Sequence, residues 1–198
     1  VTPEDAEGMF DVLTYEKGAA VVRMLEQFLG EDVFRDGVRR YLAEHLHGNT
    51  DNEDLWDALE AASGQPVRDL MHAWIFRGGH PLVEVVDDDG PLRLVQSPFR
   101  YDGEDDGTRW SIPVRLRTAT GEHRMLLDPS ATTTVVDAVA DIAEVRSLTA
   151  DASGFYRTTL LPGHGAPATE RAAGVADRWA LVLAGRMGDD SFLDLAES

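Results

Sequence analysis

The sequence predicts an α+β, multi-domain organisation: an N-terminal α-helical bundle, an antiparallel β-sandwich and the start of a second α-helical domain. Three observations predict it. Apolar residues recur at three- and four-residue steps as far as Gly79, switch to alternation from Pro81, and return to helical spacing beyond a Pro- and Gly-rich stretch at 162–167. The domains expected on this basis are residues 1–80, 81–161 and 169–198, with 162–168 as a linker.

The first helix covers residues 10–30. Val21, Val22, Leu25, Phe28 and Leu29 share its inward face, while Arg23, Glu26 and Gln27 fall off it. Gly18, in its early turns, is a poor helix former, and its presence there reads as close approach of backbone or ligand, or as a packing glycine. Gly30 stops this helix and Asp32 is expected to cap a second, with Phe34, Val38, Tyr41 and Leu42 inward and an end near His47-Gly48. Asp51 caps a third, supported by Asp54 at its positive end, with Leu55, Trp56, Leu59 and Ala62 inward until Gly64 closes it. Pro66 suits the first turn of a fourth, striped by Val67, Leu70, Met71, Trp74 and Ile75 and ended by Gly78-Gly79.

Alternation then takes over. Residues 82–86 and 92–96 flank the turn Asp87-Asp88-Asp89-Gly90 and predict a hairpin. After a Gly- and Asp-rich loop at 102–108, Trp110, Ile112, Val114 and Leu116 alternate with Ser111, Arg115 and Arg117, the pattern of a strand with one wet face. Thr120-Gly121 turns the chain into a strand at 123–127, and 132–136, 143–148 and 155–160 complete an antiparallel sandwich. Beyond the linker, Ala172, Val175, Trp179, Val182 and Leu183 are spaced for one face of a helix, and Phe192 and Leu195 open another short one.

Composition narrows the function classes. The formal net charge is -18 and Lys17 is the single lysine, so the chain lacks the basic surface that nucleic-acid binding needs, and no nucleic-acid partner is expected. No apolar run is long enough to span a bilayer, so no membrane association is expected. With no cysteine there are no disulfides or thiolate metal sites, and the cytoplasm is the expected compartment.

One run of residues carries more than fold. Tyr15-Glu16-Lys17-Gly18-Ala19, preceded by Phe10-Asp11 and followed by Met24-Leu25 and Leu29-Gly30-Glu31, resembles the aminopeptidase N-like zinc metallopeptidases, the gluzincin aminopeptidases. Phe34, Gly37, Tyr41 and His45 are similar to that family's F-x-x-G-x-x-x-Y-x-x-x-H helix, and Asn49, Asp54-Leu55-Trp56, Leu59 and Ser63-Gly64 to its next. Trp74, Gly78-Gly79 and Pro81 close this block, with Arg77 and a second glycine where the family has a Gly-x-Pro step. Further on, Trp110, Ile112, Pro113 and Val114 resemble the W-x-I-P motif of the family's β-sandwich. Gly154-Phe155-Tyr156-Arg157 resembles its closing strand, where the usual asparagine is missing and Asp151 and Ser153 stand nearby. Glu170-Arg171-Ala172 and Trp179-Ala180-Leu181 resemble the start of its C-terminal helical domain. The resemblance implies the end of a thermolysin-like catalytic domain over 1–80, followed by the β-sandwich and the first helices beyond. Residue 1 would then fall partway through the catalytic domain, so the sequence is expected to be a fragment of a longer chain.

The family removes N-terminal residues from peptides with a zinc ion held by H-E-x-x-H and a glutamate from the following helix, a motif that needs two imidazoles one turn apart. The six histidines here, His45, His47, His72, His80, His123 and His164, contain no such pair, and the family's G-x-M-E-N element is absent as well. Zinc is therefore expected in a parent enzyme but not in this chain, which is expected to be inactive alone. Tyr15 matches the family's catalytic tyrosine, whose phenol donates a hydrogen bond to the oxyanion formed at the scissile carbonyl. Read without the family, a tyrosine at a helix entrance is more commonly an amphipathic anchor. Glu16 and Lys17 are expected to solvate the helix entry or orient neighbours. The competing reading is a non-catalytic relative that keeps the fold as a protein-interaction scaffold. The helical faces that have lost the rest of their domain are expected to self-associate.

Overall fold

The computed structural model describes residues 12–86, 91–137, 139, 142–163, 165–188, 190 and 192. The chain divides into two compact units, Val1–Arg77 and Gly78–Ser198.

The first unit contains α1 (Val12–Leu29), α2 (Glu31–Glu44), α3 (Asn52–Ser63) and α4 (Val67–Phe76). Its core is built from Val21, Met24, Leu25 and Phe28 of α1, Trp56 and Leu59 of α3, and Val67, Leu70, Met71 and Trp74 of α4, each less than a tenth exposed. A single residue joins α1 to α2. Gly30 stands at φ 91°, a left-handed conformation open to glycine, and caps α2 in place of the expected Asp32, which lies within the first turn beside Arg35. Asp51 caps α3 as expected: its carboxylate accepts the N–H groups of Glu53 and Asp54, and Asp54 reaches back to the Asp51 N–H at 3.0 Å. Gly64 ends that helix at φ 67°.

Two expected faces are displaced. In α3 the third inward position is Ala58, and Ala62 is exposed. In α2 the buried residue is Gly37, Phe34, Val38 and Tyr41 are half-covered, and Leu42 is 58% exposed. The cause is how closely α2 crosses α3: a Cβ on Gly37 would lie 2.7 Å from Leu59 Cδ2 and 3.0 Å from Leu59 Cα. Backbones that close leave little width for flanking side chains to be covered.

The second unit is a sandwich of two sheets. One has the order β5-β2-β1-β7, built from β1 (Pro81–Val86), β2 (Arg93–Pro98), β5 (Thr133–Val135) and β7 (Arg157–Thr158). The other has the order β4-β3-β6, from β3 (Ile112–Thr118), β4 (Glu122–Leu127) and β6 (Val145–Ser147). The hairpin expectation holds for the strands, with Pro81 opposite Pro98 and Val86 opposite Arg93; its turn at 87–90 lies outside the described residues. The antiparallel expectation needs one correction, because β7 joins β1 in parallel, Leu82 opposite Arg157. The chain enters the far sheet through the 3-10 turn Ile142–Glu144, runs along β6 and returns through the 3-10 turn Ala150–Ala152 to β7, which lies parallel to β1.

The wet face predicted for β3 is also corrected. Arg115 is only 8% exposed, and it is buried because its charge is met. Its guanidinium forks onto Glu122 at 2.9 Å twice, and reaches the Ala150 carbonyl and Asp151. Asp151 stands at φ 61°, a left-handed conformation that Asp tolerates better than most residues, and its other oxygen takes Arg117 at 3.0 Å.

The last described helix, α5 (Ala168–Leu183), lies on this unit with the opposite face from the one its apolar stripe predicts. Val175, Trp179 and Leu183 are 43%, 49% and 55% exposed, while Glu170, Gly174, Asp177, Ala180 and Leu181 are buried. The sheets present cations and backbone donors at this position, and acids answer them. Glu170 Oε1 accepts the Asp151 N–H and pairs with Arg117, and Asp177 accepts Arg157 at 2.9 Å and the Thr158 N–H at 3.1 Å. Between them Gly174 admits the Pro162 ring, whose Cδ would be 2.4 Å from a Cβ there. The 162–168 segment is thus held down rather than free: Gly163 N–H donates to the Arg146 carbonyl, and Ala166 is buried. Trp179 meets the Phe192 ring at 5.2 Å, and Leu195 lies outside the described residues. Among the described residues no helix is long and apolar enough to cross a membrane.

Candidate active site

Tyr15 lies in the first turn of α1, with 62% of its surface exposed. A helix places i, i+3 and i+7 on one side, so Tyr15 shares a face with Gly18 and Val22. Those two residues line an open apolar cleft of about 350 Å³, together with Lys17, Val21, Trp56, Met71, Trp74 and Ile75. Among the described residues a Cβ at Gly18 would meet nothing within 4 Å, so no tight backbone contact accounts for this glycine on the cleft wall. Ile75, expected inward, is 42% exposed at the same cleft.

Lys17, on the same cleft wall, also reaches α4. Its Nζ donates to the backbone carbonyl of Arg77, 2.9 Å away and 60 residues along the chain. Partial burial draws the ammonium out of water and lowers its pKa from the usual lysine value.

The histidines do not converge. His45 ends α2, 3.8 Å from an Asp54 oxygen and with its ring 5.6 Å from that of Tyr41. His47 occupies the following turn at φ 63°. In the first unit His72 meets Phe76, in the second His80 meets Phe99 and Phe155, and His123 sits in β4. His164 lies outside the described residues. Among the described residues no three His, Asp or Glu side chains are placed together to hold a metal ion.

The profile of the peptidase family M1 domain matches residues 1–74, the part of the chain that ends inside α4. This chain belongs to peptidase family M1. It is 39% identical over 155 residues to the tricorn protease-interacting factor F2 of Thermoplasma volcanium, covering 78% of this chain and 19% of that protein. It is 41% identical over 120 residues to Aminopeptidase M1 of Arabidopsis thaliana, 61% of this chain and 14% of the relative. With Aminopeptidase 2 of Candida albicans it shares 32% identity over 212 aligned residues, 98% of this chain and 23% of the relative. The chain therefore spans less than a quarter of the length of these M1 relatives.

Several functional-looking side chains escaped the sequence. The buried acids of α5 were announced by Glu170, Gly174, Asp177 and Leu181 at steps of four, three and four, a second helical face that the stronger apolar stripe concealed. A cavity of about 370 Å³ beneath that helix has Asp177, Arg157, Tyr156 and His80 on its walls. Tyr156 is turned inward there, its hydroxyl donating to the Leu148 carbonyl at 2.6 Å, and burial raises its pKa.

Proposed function

We propose that this chain is the end of the catalytic domain, the following β-sandwich and the first helix beyond, of a zinc-dependent M1 aminopeptidase that removes N-terminal residues from peptides in the cytoplasm. The observation that carries this reading is Tyr15, set in Tyr15-Glu16-Lys17-Gly18 at the exposed entrance of α1 and on the helix face that borders an open cleft. Zinc supplies the electrophilic metal of such a reaction, and its ligands belong to sequence outside these residues. What this chain contributes is a phenol whose hydroxyl donates to the oxygen on which negative charge develops. The chain alone is inactive on this reading.

The test is Tyr15→Phe in the full-length protein. It keeps the ring and removes one preorganised donor, so turnover falls about 100- to 1000-fold with little change in Michaelis constant or melting temperature. Turnover within about threefold of native, about 0.7 kcal/mol of barrier, would reject Tyr15 as the donor. A second reading has a specific support. Relatives at 39% and 32% identity are named for interaction with the tricorn protease, and a protein partner of the protease class is therefore the second proposal for this chain. A full-length reading frame without H-E-x-x-H would leave that scaffold reading standing and remove the enzyme.

A further inference from the structure

We propose that Lys17 is a positioning residue for Tyr15: by clamping α1 to the C-terminal end of α4 it holds the phenol where the reaction needs it. The proposal rests on the reading of Tyr15 as the oxyanion donor and adds a residue to it.

Among the described side chains of α1 burial begins at Val21, and Tyr15, Glu16, Gly18 and Ala19 are exposed. The first turn carries no acidic residue to meet the positive end of the helix. Gly18 follows, at a cost of about 1 kcal/mol in helix propensity relative to alanine. First turns lack half of their intrahelical hydrogen bonds and fray unless tied. A tyrosine carried on such a turn moves with it.

Lys17 supplies a tie to α4. Its ammonium reaches the carbonyl of Arg77, the residue that caps the C-terminal end of α4. Within Val67–Phe76 the last turn carries no basic side chain, and the Lys17 ammonium adds a cation at the carbonyl end of that helix dipole, beside the C-cap Arg77. The lysine stem lies along the cleft wall with Val21 and Trp74, and both partners of the clamp are thereby referred to the buried core of the same unit. Lys17 is also the single lysine in a chain whose other basic residues, histidines apart, are arginines. A slender ammonium can enter beside a backbone carbonyl where a planar guanidinium needs more room.

The experiment is a cycle in the full-length protein with Tyr15→Phe, Lys17→Met, Lys17→Arg and the double variant Tyr15→Phe/Lys17→Met, reading turnover, Michaelis constant and amide exchange at residues 15–18. A displacement of about 1 Å in a reacting geometry costs on the order of 100-fold. Lys17→Met is expected to lower turnover by about tenfold to 100-fold at a nearly constant Michaelis constant and to speed exchange at 15–18; Lys17→Arg recovers part of the loss. In the Tyr15→Phe background the same methionine changes turnover by less than about threefold, because the group it positions is gone. Two results overturn the proposal while leaving Tyr15 in its role: native turnover in Lys17→Met, or an equal loss in both backgrounds. Native turnover in Tyr15→Phe alone removes the donor reading itself, and the positioning role with it. Lys17→Gln, which keeps an N–H donor and loses the charge, takes the place of Lys17→Met if that variant does not fold, with the same criteria.

Discussion

Residue chemistry in this protein is decided by what each side chain meets, and Asp177 shows it most sharply. It stands only 7% exposed on α5, with Arg157 on one oxygen and the Thr158 N–H on the other. Burial raises its pKa above the usual carboxylate range, and the two hydrogen bonds oppose but do not cancel that rise. A carboxyl that binds its proton more tightly when folded contributes most below the unfolded value, near 4, and loses that contribution as pH rises through the folded value. The native chain should therefore lose stability relative to Asp177→Asn as pH rises from about 4, in urea unfolding at a series of pH values. A native chain that instead gains on the asparagine variant over that range shows the Arg157 pair outweighing burial. Asp177→Ala, which strands a buried N–H and a guanidinium, should cost about 1–3 kcal/mol at any pH in the series. The Tyr15 motif was legible at this scale because its sequence context is local, and its role remains the proposal above. The roles of Asp177, Glu170 and Arg115 were not, because their partners lie tens of residues away.

Among the elements, α2 and α3 depend on one missing side chain. Gly37 lets Leu59 approach so closely that a methyl group would meet its Cδ2 at 2.7 Å and its backbone at 3.0 Å. Helix propensity favours alanine over glycine by about 1 kcal/mol, so Gly37→Ala separates the two effects. It should destabilise the chain by about 1–3 kcal/mol, since overpacking against backbone cannot be relieved by a rotamer change. Chemical denaturation checks this, and a variant as stable as the native chain would mean that α2 and α3 can move apart at no cost. The helices of the first unit were readable from spacing, capping and glycine stops. The helix α5 was readable as a helix but not in its orientation: the larger apolar stripe pointed outward because the sheets beneath it offered cations and N–H donors rather than a flat apolar face. Strand β7 was readable as extended, yet its parallel direction beside β1 follows from the route of the chain through the far sheet.

At the level of the whole molecule, the chain spans less than a quarter of its M1 relatives and holds no H-E-x-x-H. A metal site needs three or four ligands at once, so on the proposed reading a chain without the two-histidine motif does not bind zinc even with partial strength. We expect the chain, after dialysis against zinc and then buffer, to carry far less than one equivalent by metal analysis and to leave aminoacyl chromogenic substrates uncut. One zinc per chain, retained through dialysis, would overturn this. Among the described residues, Val175, Trp179 and Leu183 of α5 and Leu42, Leu46 and Phe76 of the first unit are exposed apolar side chains, and we propose such surface for self-association.

The sequence by itself determined the order of helices and strands, the ends of the helices that capping residues and glycines mark, and the family to which Tyr15 belongs. These are properties of neighbours along the chain: a hydrophobic period, an Asp51 three residues before Asp54, a Tyr-Glu-Lys-Gly run. Tertiary structure alone decided that Arg115 is buried, that α5 turns its acids inward, that Gly18 lies on a cleft wall while Gly37 closes a helix crossing, and that Lys17 answers a carbonyl 60 residues away. The physical reason is common to all four. Burial of a charge or of bare backbone is favourable only when a partner of matching chemistry stands opposite, and that partner is chosen by the path of the chain in space, which no local period records.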